Sequence, residues 1–241
     1  MNLPPHSLKY LQDSKFASTY QLDLEFDSDD HRLYSRIEWL TKTVVNKKIV
    51  HLGCVDHNLE TLKKKINKNQ WLHAQLDEVT KRCLGIDINE EGIDYLRAEM
   101  GYKDVKAENI VTEHSPSIAG DDWDYIILGE VVEHMDNPTE FLSAIHKHYQ
   151  NNIKKIIITV PNAFALKNFK HAKKGQERIN SDHRYWFTPF TACKLLTVSG
   201  YKVTSLRSCG GNKDKLRSFF KNVKLKKSPL LRNGLIIEAD F

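Results

Sequence analysis

Two segments carry residue types that could bind a nucleoside. In HLGCVDH (51–57) an apolar run ends at Gly53, and a tight strand-to-helix turn there would direct backbone N–H groups at an anionic ligand. Asp87 closes a second apolar run, where its carboxylate could accept both hydroxyls of a ribose. Together they predict a nucleoside site. The alternatives are an ordinary tight turn and a solvated aspartate at a strand end.

The glycine spacing argues against a nicotinamide dinucleotide site. A G-x-G-x-x-G turn would need glycine at Val55, and the interval from Gly53 to Asp87 exceeds the ~20 residues typical of that motif. Glu108, in VKAENIV (105–111), could accept the exocyclic amine of adenine while Asn109 serves the ring edge. The alternative for Glu108 is an ordinary surface glutamate.

The most specific segment is WDYIILGEVVEHMDNPTEFL (123–142). Its apolar run ends at Gly129, and Glu130, Glu133 and His134 follow at once. In open α/β sheets, ligands bind at the carboxyl edge of the strands. These side chains are therefore predicted to line a site, although acidic residues are also favoured at a helix N-terminus.

Short apolar runs predict the strands that must position these residues. They are KKIVHL (47–52), RCLGIDI (82–88), WDYIIL (123–128) and KKIIITV (154–160). Apolar strands that alternate with helices are typical of a parallel sheet covered on both faces. With a short strand before Glu108 and two strands at 201–209 and 234–241, we predict an α/β fold with seven strands.

Helices are predicted over residues 59–79, 90–100 and 138–149, and over 29–43 before the first strand. Residues 1–43 are expected to form an N-terminal helical cap and residues 44–241 the main domain. Within that domain, the basic segment 212–232 predicts an exposed helix or a long hairpin connection. A patch that contacts polyanions is the alternative.

Composition narrows the class of protein. A net charge of +5 does not by itself indicate nucleic-acid binding. The four cysteines are scattered without a CxxC pair, which predicts reduced thiols and no metal site. The N-terminal segment lacks the apolar run of a signal peptide, and no stretch approaches the ~18 apolar residues of a membrane span. We expect a cytoplasmic protein, and its oligomeric state cannot be read from the sequence.

Several of these segments together resemble class I S-adenosylmethionine-dependent methyltransferases. They are HLGCVDH, GIDIN, WDYIILGEVVEHMDNP, TVPNAF and SDHRYWFTPFTACKLLTVSGY. The resemblance is to the branch with a Glu-His pair after the fourth strand, which includes ubiquinone-biosynthesis-like and glycan- or natural-product-tailoring enzymes. It implies a Rossmann-like fold over residues 44–241, with sheet order 3-2-1-4-5-7-6 and an antiparallel last strand. It also implies S-adenosyl-L-methionine as cofactor and S-adenosyl-L-homocysteine as product.

The same resemblance implies a set of cofactor contacts. The matching residues are Gly53, Cys54, Val55, Asp87, Ile88, Glu108, Asn109 and Glu130. The first three match the glycine loop beside the methionine part, and Glu130 matches a backbone contact to that part. Asp87 matches the ribose-binding acid, Ile88 flanks adenine, and the 108–109 pair matches the adenine edge.

The chain departs from the family in its glycine loop. The usual G-x-G reads Gly53-Cys54-Val55, and His51 stands where the family commonly has an acid. Asp56 or His57 could supply a substitute contact to the methionine part.

The acceptor implied by the resemblance is a small molecule or a glycan, and the expected reaction is O-methylation by in-line transfer. His134 is the first candidate for a general base, because an imidazole titrates near neutral pH and this one follows the fourth strand. His183, in SDHRYWF, is the second. Either could instead be a hydrogen-bonded structural histidine. A nucleic-acid methyltransferase and a non-catalytic binding protein are the alternative functions.

Overall fold

A seven-stranded sheet forms the centre of the computed structural model, which describes residues 1–56, 58–210 and 219–241. The strands are β1 Lys48–Leu52, β2 Arg82–Asp87, β3 Val105–Ala107, β4 Trp123–Gly129, β5 Ile153–Pro161, β6 Lys202–Cys209 and β7 Gly234–Asp240. Their order is β3-β2-β1-β4-β5-β7-β6, and β7 runs antiparallel to both neighbours. The predicted α/β class, strand order and antiparallel last strand are confirmed.

Helices cover both faces of the sheet. They are α1 Leu8–Leu11, α2 Arg36–Thr43, α3 Leu59–Asn67, α4 Leu72–Asp77, α5 Glu90–Ala98, α6 Pro116–Ala119, α7 Pro138–Tyr149, α8 Leu166–Ala172, α9 Pro189–Val198 and α10 Phe219–Lys227. Short 3₁₀ turns lie at Pro5–Ser7, Asp29–His31, Val132–His134 and Pro229–Leu231. None of the helices within the described ranges is both long and apolar enough to span a membrane.

The N-terminal segment is less helical than its sequence predicts. Of the helix predicted over 29–43, only Arg36–Thr43 is α-helical, and irregular chain separates it from α1. Ser35 begins α2 because its backbone is extended and its hydroxyl accepts a hydrogen bond from the Glu38 N–H at 3.1 Å. At the other end of the chain, α10 lies within the basic segment 212–232, of which residues 212–218 lie outside the described residues.

The single helix predicted over 59–79 is two helices, α3 and α4. Between them Asn69 adopts a left-handed backbone with φ of 52°, which ends the first helix. Trp71 follows, is 4% exposed, and donates its indole N–H to the Cys54 carbonyl at 2.8 Å. Trp71, just after the break, therefore contacts the turn that follows β1.

Strand β4 is fixed by packing on both of its faces. Ile126 is fully buried in a cluster with Leu142 of α7, and Ile127 is fully buried in another cluster with Leu40 of α2 and Leu76 of α4. Burial of each such side chain contributes about 1.5–3 kcal/mol to the free energy of unfolding. The residues that follow β4 therefore extend from one of the best-packed strands.

Parallel pairing brings three strand ends to one edge of the sheet. Strand β1 pairs in register with both β2 and β4, so Gly53, directly after β1, lies beside Asp87 and Gly129, the last residues of β2 and β4. The strand order reverses between β1 and β4, and ligands bind at such a reversal in open α/β sheets.

Candidate functional site

Strand β2 holds the turn after β1. The N–H groups of Gly53 and Cys54 donate to the Ile86 carbonyl at 2.8 and 3.3 Å. The Val55 N–H donates to Asp87 Oδ2 at 2.8 Å. The expectation that the N–H groups of this turn point at an anionic ligand is therefore wrong for these three residues, because the neighbouring strand already accepts their hydrogen bonds.

Gly53 is required both by its backbone and by the space around it. Its φ is +77°, and a Cβ there would lie 2.7 Å from Val131 Cγ2. An L side chain at this position is strained and also collides with the segment that follows β4.

We expect Gly53→Ala to lower the free energy of unfolding by about 2–4 kcal/mol, because backbone strain and overpacking add. Gly101→Ala is the matched control, since Gly101 has a φ of +74° but a Cβ at that position would meet no heavy atom within 4 Å. That control should lose only the backbone contribution, about 1–2 kcal/mol. Urea denaturation measures both variants, and equal losses would contradict the close contact with Val131.

Asp87 organises the turn and keeps acceptor capacity. Its Oδ2 accepts from Val55, and its Oδ1 accepts from the Asn89 N–H at 3.0 Å. Burial raises the pKa of Asp87, while the backbone hydrogen bonds oppose that shift. A carboxylate offers about four lone-pair sites, so the group keeps acceptor capacity for a ligand hydroxyl. The side chain of Ile88, beside it, is 75% exposed.

A cavity of about 620 Å³ lies along this edge, within the range usual for small-molecule sites. We call it the cofactor cavity. Of the residues selected from the sequence, it is lined by Gly53, Cys54, Val55, Asp87, Ile88, Glu130, His134 and His183. Trp71 and Leu72, placed by the break between α3 and α4, also line it.

Glu108 and Asn109 lie near this cavity but do not line it. The Glu108 N–H donates to the Asp87 carbonyl at 3.0 Å, so its backbone is next to the ribose-binding candidate. Its Oε1 accepts a hydrogen bond from the Ser117 hydroxyl at 3.2 Å. The structure thus gives Glu108 a partner within the protein.

Glu130 occupies a strained position at the end of β4. Its φ is +61°, although it is not a glycine, and its N–H donates to the Thr159 carbonyl at 3.0 Å. Arg36 of α2 reaches across the edge, with Nη1 3.0 Å from Glu130 Oε2. Strained residues cluster at functional sites, so Glu130 and its partner Arg36 are candidate parts of the site.

His134 and His183 meet although they are far apart in the sequence. Their ring centroids are 4.6 Å apart in an edge-to-face arrangement. His134 Nδ1 lies 2.8 Å from Asp182 Oδ2. The Arg184 N–H donates to the Glu133 carbonyl at 2.9 Å, which holds the segment that carries His183 against the β4 edge.

Glu133 completes a cluster with the two histidines. It is fully buried, and neither carboxylate oxygen has a hydrogen-bond partner among the described residues. Burial, and then the negative charge of Glu130, raise the pKa of Glu133 to about 8. One ligand atom from each of Glu133, His134 and His183 lies within 4.8 Å of the others, so the three could hold a metal ion.

His51, at the family's usual acid position, belongs to a buried pair. Its Nδ1 lies 3.1 Å from His73 Nδ1. Burial and then the neighbouring His73 lower the pKa of His51 well below its usual value, so its ring is neutral. The Cys54 thiol is buried, which raises its pKa. Asp56 forms an ion pair with Lys65, and His57 lies outside the described residues.

Residues 29–206 match a family described as a methyltransferase domain, which covers most of the chain. The chain belongs to the class I S-adenosylmethionine-dependent methyltransferases. It is therefore an enzyme that uses S-adenosyl-L-methionine as cofactor. A search of curated proteins finds no match for this methyltransferase.

Solved structures share the fold of this methyltransferase at low identity. The small RNA methyltransferase HEN1 is 16% identical, with a TM-score of 0.56 over 94% of this chain and 27% of that one. Magnesium protoporphyrin IX methyltransferase from Synechocystis, solved with S-adenosyl-L-homocysteine, is 13% identical, with a TM-score of 0.52 over 85% and 79%. A methyltransferase from Mesorhizobium loti is 12% identical, with a TM-score of 0.51 over 85% and 95%.

Two residues of the methyltransferase site, Arg36 and Asp182, were not predicted from the sequence. Arg36 lies in a predicted amphipathic helix, where a charged residue is expected on the solvated face. Asp182 lies in a polar loop and carries no local signal. Glu133 was predicted to line the site because it follows a buried strand, but its side chain is fully buried and lines neither cavity.

Proposed function

We propose that the methyltransferase transfers its methyl group to a hydroxyl of a small-molecule or sugar acceptor. One observation carries this proposal. A second cavity of about 430 Å³, which we call the acceptor cavity, shares Arg36, Glu130, Asn180 and His183 with the cofactor cavity. An acceptor entering from that side meets His183, which lines both cavities and belongs to the Glu133–His134–His183 cluster.

The cofactor is proposed to lie along the strand edge. Asp87 accepts the ribose hydroxyls and the exposed Ile88 covers the adenine, whose edge points toward Glu108 and Asn109 just outside the lining of the cofactor cavity. The methionine part lies between the Gly53 turn and Glu130. The size of the cofactor cavity and the lone pairs left on Asp87 support this placement.

Methyl transfer is an in-line displacement. The acceptor oxygen forms a bond to the methyl carbon as the carbon–sulfur bond breaks, and the hydroxyl proton must leave. Alignment of the reacting atoms alone can supply about 7–11 kcal/mol. The remaining task is to activate the hydroxyl. The imidazole of His183, which lines both cavities, and that of His134 beside it suit that task.

We further propose that Glu133, His134 and His183 activate the hydroxyl by holding a divalent cation. A buried carboxylate without a hydrogen-bond partner is costly unless it is protonated or paired, and two imidazoles beside it complete a mixed donor set. Asp182 would orient His134, as carboxylates commonly do for metal-bound histidines. Such a cation lowers the pKa of an oxygen bound to it.

Asp87→Ala is expected to weaken the binding of S-adenosyl-L-homocysteine about 100-fold, because two hydrogen bonds to a charged group are lost. Asp87→Asn should weaken the binding of S-adenosyl-L-homocysteine about 10-fold, since one amide oxygen remains as acceptor. Calorimetric titration measures both. Asp94→Ala is the control, because its side chain is 76% exposed on α5. Unchanged affinity in Asp87→Ala would remove the ribose assignment.

The acceptor class is tested by transfer of tritium from labelled S-adenosyl-L-methionine. The panel contains sugars, sugar phosphates, mononucleotides, phenols, amines and short oligoribonucleotides, each with and without Mn²⁺. Metal-stimulated labelling of a small hydroxyl compound supports the proposal. Labelling confined to the amines, or to oligoribonucleotides as the name of small RNA methyltransferase HEN1 suggests for that protein, would overturn it. No cofactor binding at millimolar concentration would favour a non-catalytic protein.

A further inference from the structure

We propose that the acceptor carries a phosphate group, which Lys167 and Arg178 bind in the acceptor cavity. The inference rests on the proposed function, since it names the chemical class of the molecule that enters this cavity. Its test nevertheless has a readout, binding without catalysis, that does not require methyl transfer.

The charges that line the acceptor cavity do not balance. Among the residues that the structure describes, three permanent cations line it, Arg36, Lys167 and Arg178, and one carboxylate, Glu130. Arg36 is already paired with Glu130 at 3.0 Å. Within residues 1–56, 58–210 and 219–241, no ion pair joins Lys167 or Arg178 to a carboxylate. Two positive charges thus face the cavity, and they attract an anionic ligand.

The positions of these cations suit a ligand whose hydroxyl reaches the cluster. Lys167 lies on α8, and Arg178 lies in the segment between α8 and α9, shortly before His183. His183 lines the same cavity and belongs to the Glu133–His134–His183 cluster. An anion bound by Arg178 is therefore held within reach of the reacting edge.

Trp186 adds a surface for a ring. Its indole N–H donates to Glu177 Oε1 at 3.0 Å, which fixes the edge of the ring. The residue lines the acceptor cavity and a neighbouring cavity of about 340 Å³ that Arg178 also lines. An aromatic side chain beside cations is a common platform for the sugar or base of a phosphorylated ligand.

The double positive charge favours a phosphate over a carboxylate. A phosphate monoester carries close to two negative charges at neutral pH, and arginine binds phosphate through two parallel hydrogen bonds. The same chemistry occurs in a sugar phosphate or mononucleotide and in the terminal phosphate of an oligonucleotide. Both kinds of compound are therefore included in the test.

The test is calorimetric binding to the protein saturated with S-adenosyl-L-homocysteine. The probes are inorganic phosphate, glucose with glucose 1-phosphate, uridine with uridine 5′-monophosphate, and a 5′-phosphorylated trinucleotide with its unphosphorylated form. We expect at least one phosphorylated compound to bind about 10-fold or more tightly than its unphosphorylated partner. Tighter binding of the trinucleotide than of the mononucleotide would assign the phosphate to a nucleic-acid end and would overturn the small-molecule acceptor of the proposed function.

Two variants test whether Lys167 and Arg178 form the phosphate-binding site. Lys167→Ala with Arg178→Ala should weaken binding of the phosphorylated compound about 10- to 100-fold, which is the loss of charge-assisted hydrogen bonds. Lys173→Ala, an exposed lysine that does not line the cavity, should have no effect.

The binding experiments distinguish failure of the phosphate inference from failure of the proposed function. The phosphate inference is wrong if S-adenosyl-L-homocysteine binds but no phosphorylated compound binds more tightly than its unphosphorylated partner. It is also wrong if the double variant binds the phosphorylated compound as tightly as the wild type does. If S-adenosyl-L-homocysteine itself does not bind, the proposed function fails instead.

Discussion

Replacing His134 by alanine is expected to lower the rate of methyl transfer about 100- to 10,000-fold, the usual effect of removing an activating group from a proton transfer. The affinity for S-adenosyl-L-homocysteine should remain unchanged, because the proposed cofactor contacts come from Asp87, Ile88 and the Gly53 turn. His183→Ala should show the same separation, since its ring packs 4.6 Å from that of His134. Single-turnover transfer to the acceptor found in the tritium assay measures the rate.

Two further variants distinguish a loss of catalysis from a loss of stability. Asp182→Asn keeps the shape of the side chain that contacts His134 at 2.8 Å but removes its charge, so we expect a smaller loss, about 10-fold. His114→Ala is the control, because His114 is exposed and stacks on Tyr149 away from both cavities. If turnover is unchanged in both His134→Ala and His183→Ala, neither histidine has a catalytic role.

The sheet was predictable because its signals are local. Each buried strand is a short apolar run, and residues 138–149 begin with a proline suited to the first turn of a helix. The observed α7 has these bounds. The break between α3 and α4 was not predictable, because the segment keeps a helical pattern. The long-range bond from Trp71 to Cys54 accompanies the break and has no local signature.

The residues of the site likewise include some that the sequence could predict and some that it could not. Residues that end or directly follow a strand, such as Asp87 and Glu130, could be found because every parallel strand ends at the same edge. Arg36 and Asp182 could not, because each depends on a partner far away in sequence, Glu130 and His134 respectively. Nor could the sequence show that the N–H groups of the Gly53 turn are already used, since their acceptors lie on β2.

Glu133→Gln is expected to abolish stabilisation of the protein by Mn²⁺. A cation that binds only the folded state stabilises it by about 2.7 kcal/mol at 100 times its dissociation constant. Glutamine keeps the volume of the side chain but supplies a neutral, weaker ligand to the Glu133–His134–His183 cluster. Urea denaturation with and without Mn²⁺ measures the difference, and S-adenosyl-L-homocysteine affinity should not change.

The control for this variant is Glu99→Gln, an exposed glutamate at the end of α5, which should keep the full response to Mn²⁺. Equal stabilisation of Glu133→Gln and the wild type would place the cation elsewhere. If Mn²⁺, Co²⁺ and Zn²⁺ all fail to stabilise the wild type, the cluster holds no cation. His134, oriented by Asp182, would then have to activate the hydroxyl as a general base on its own.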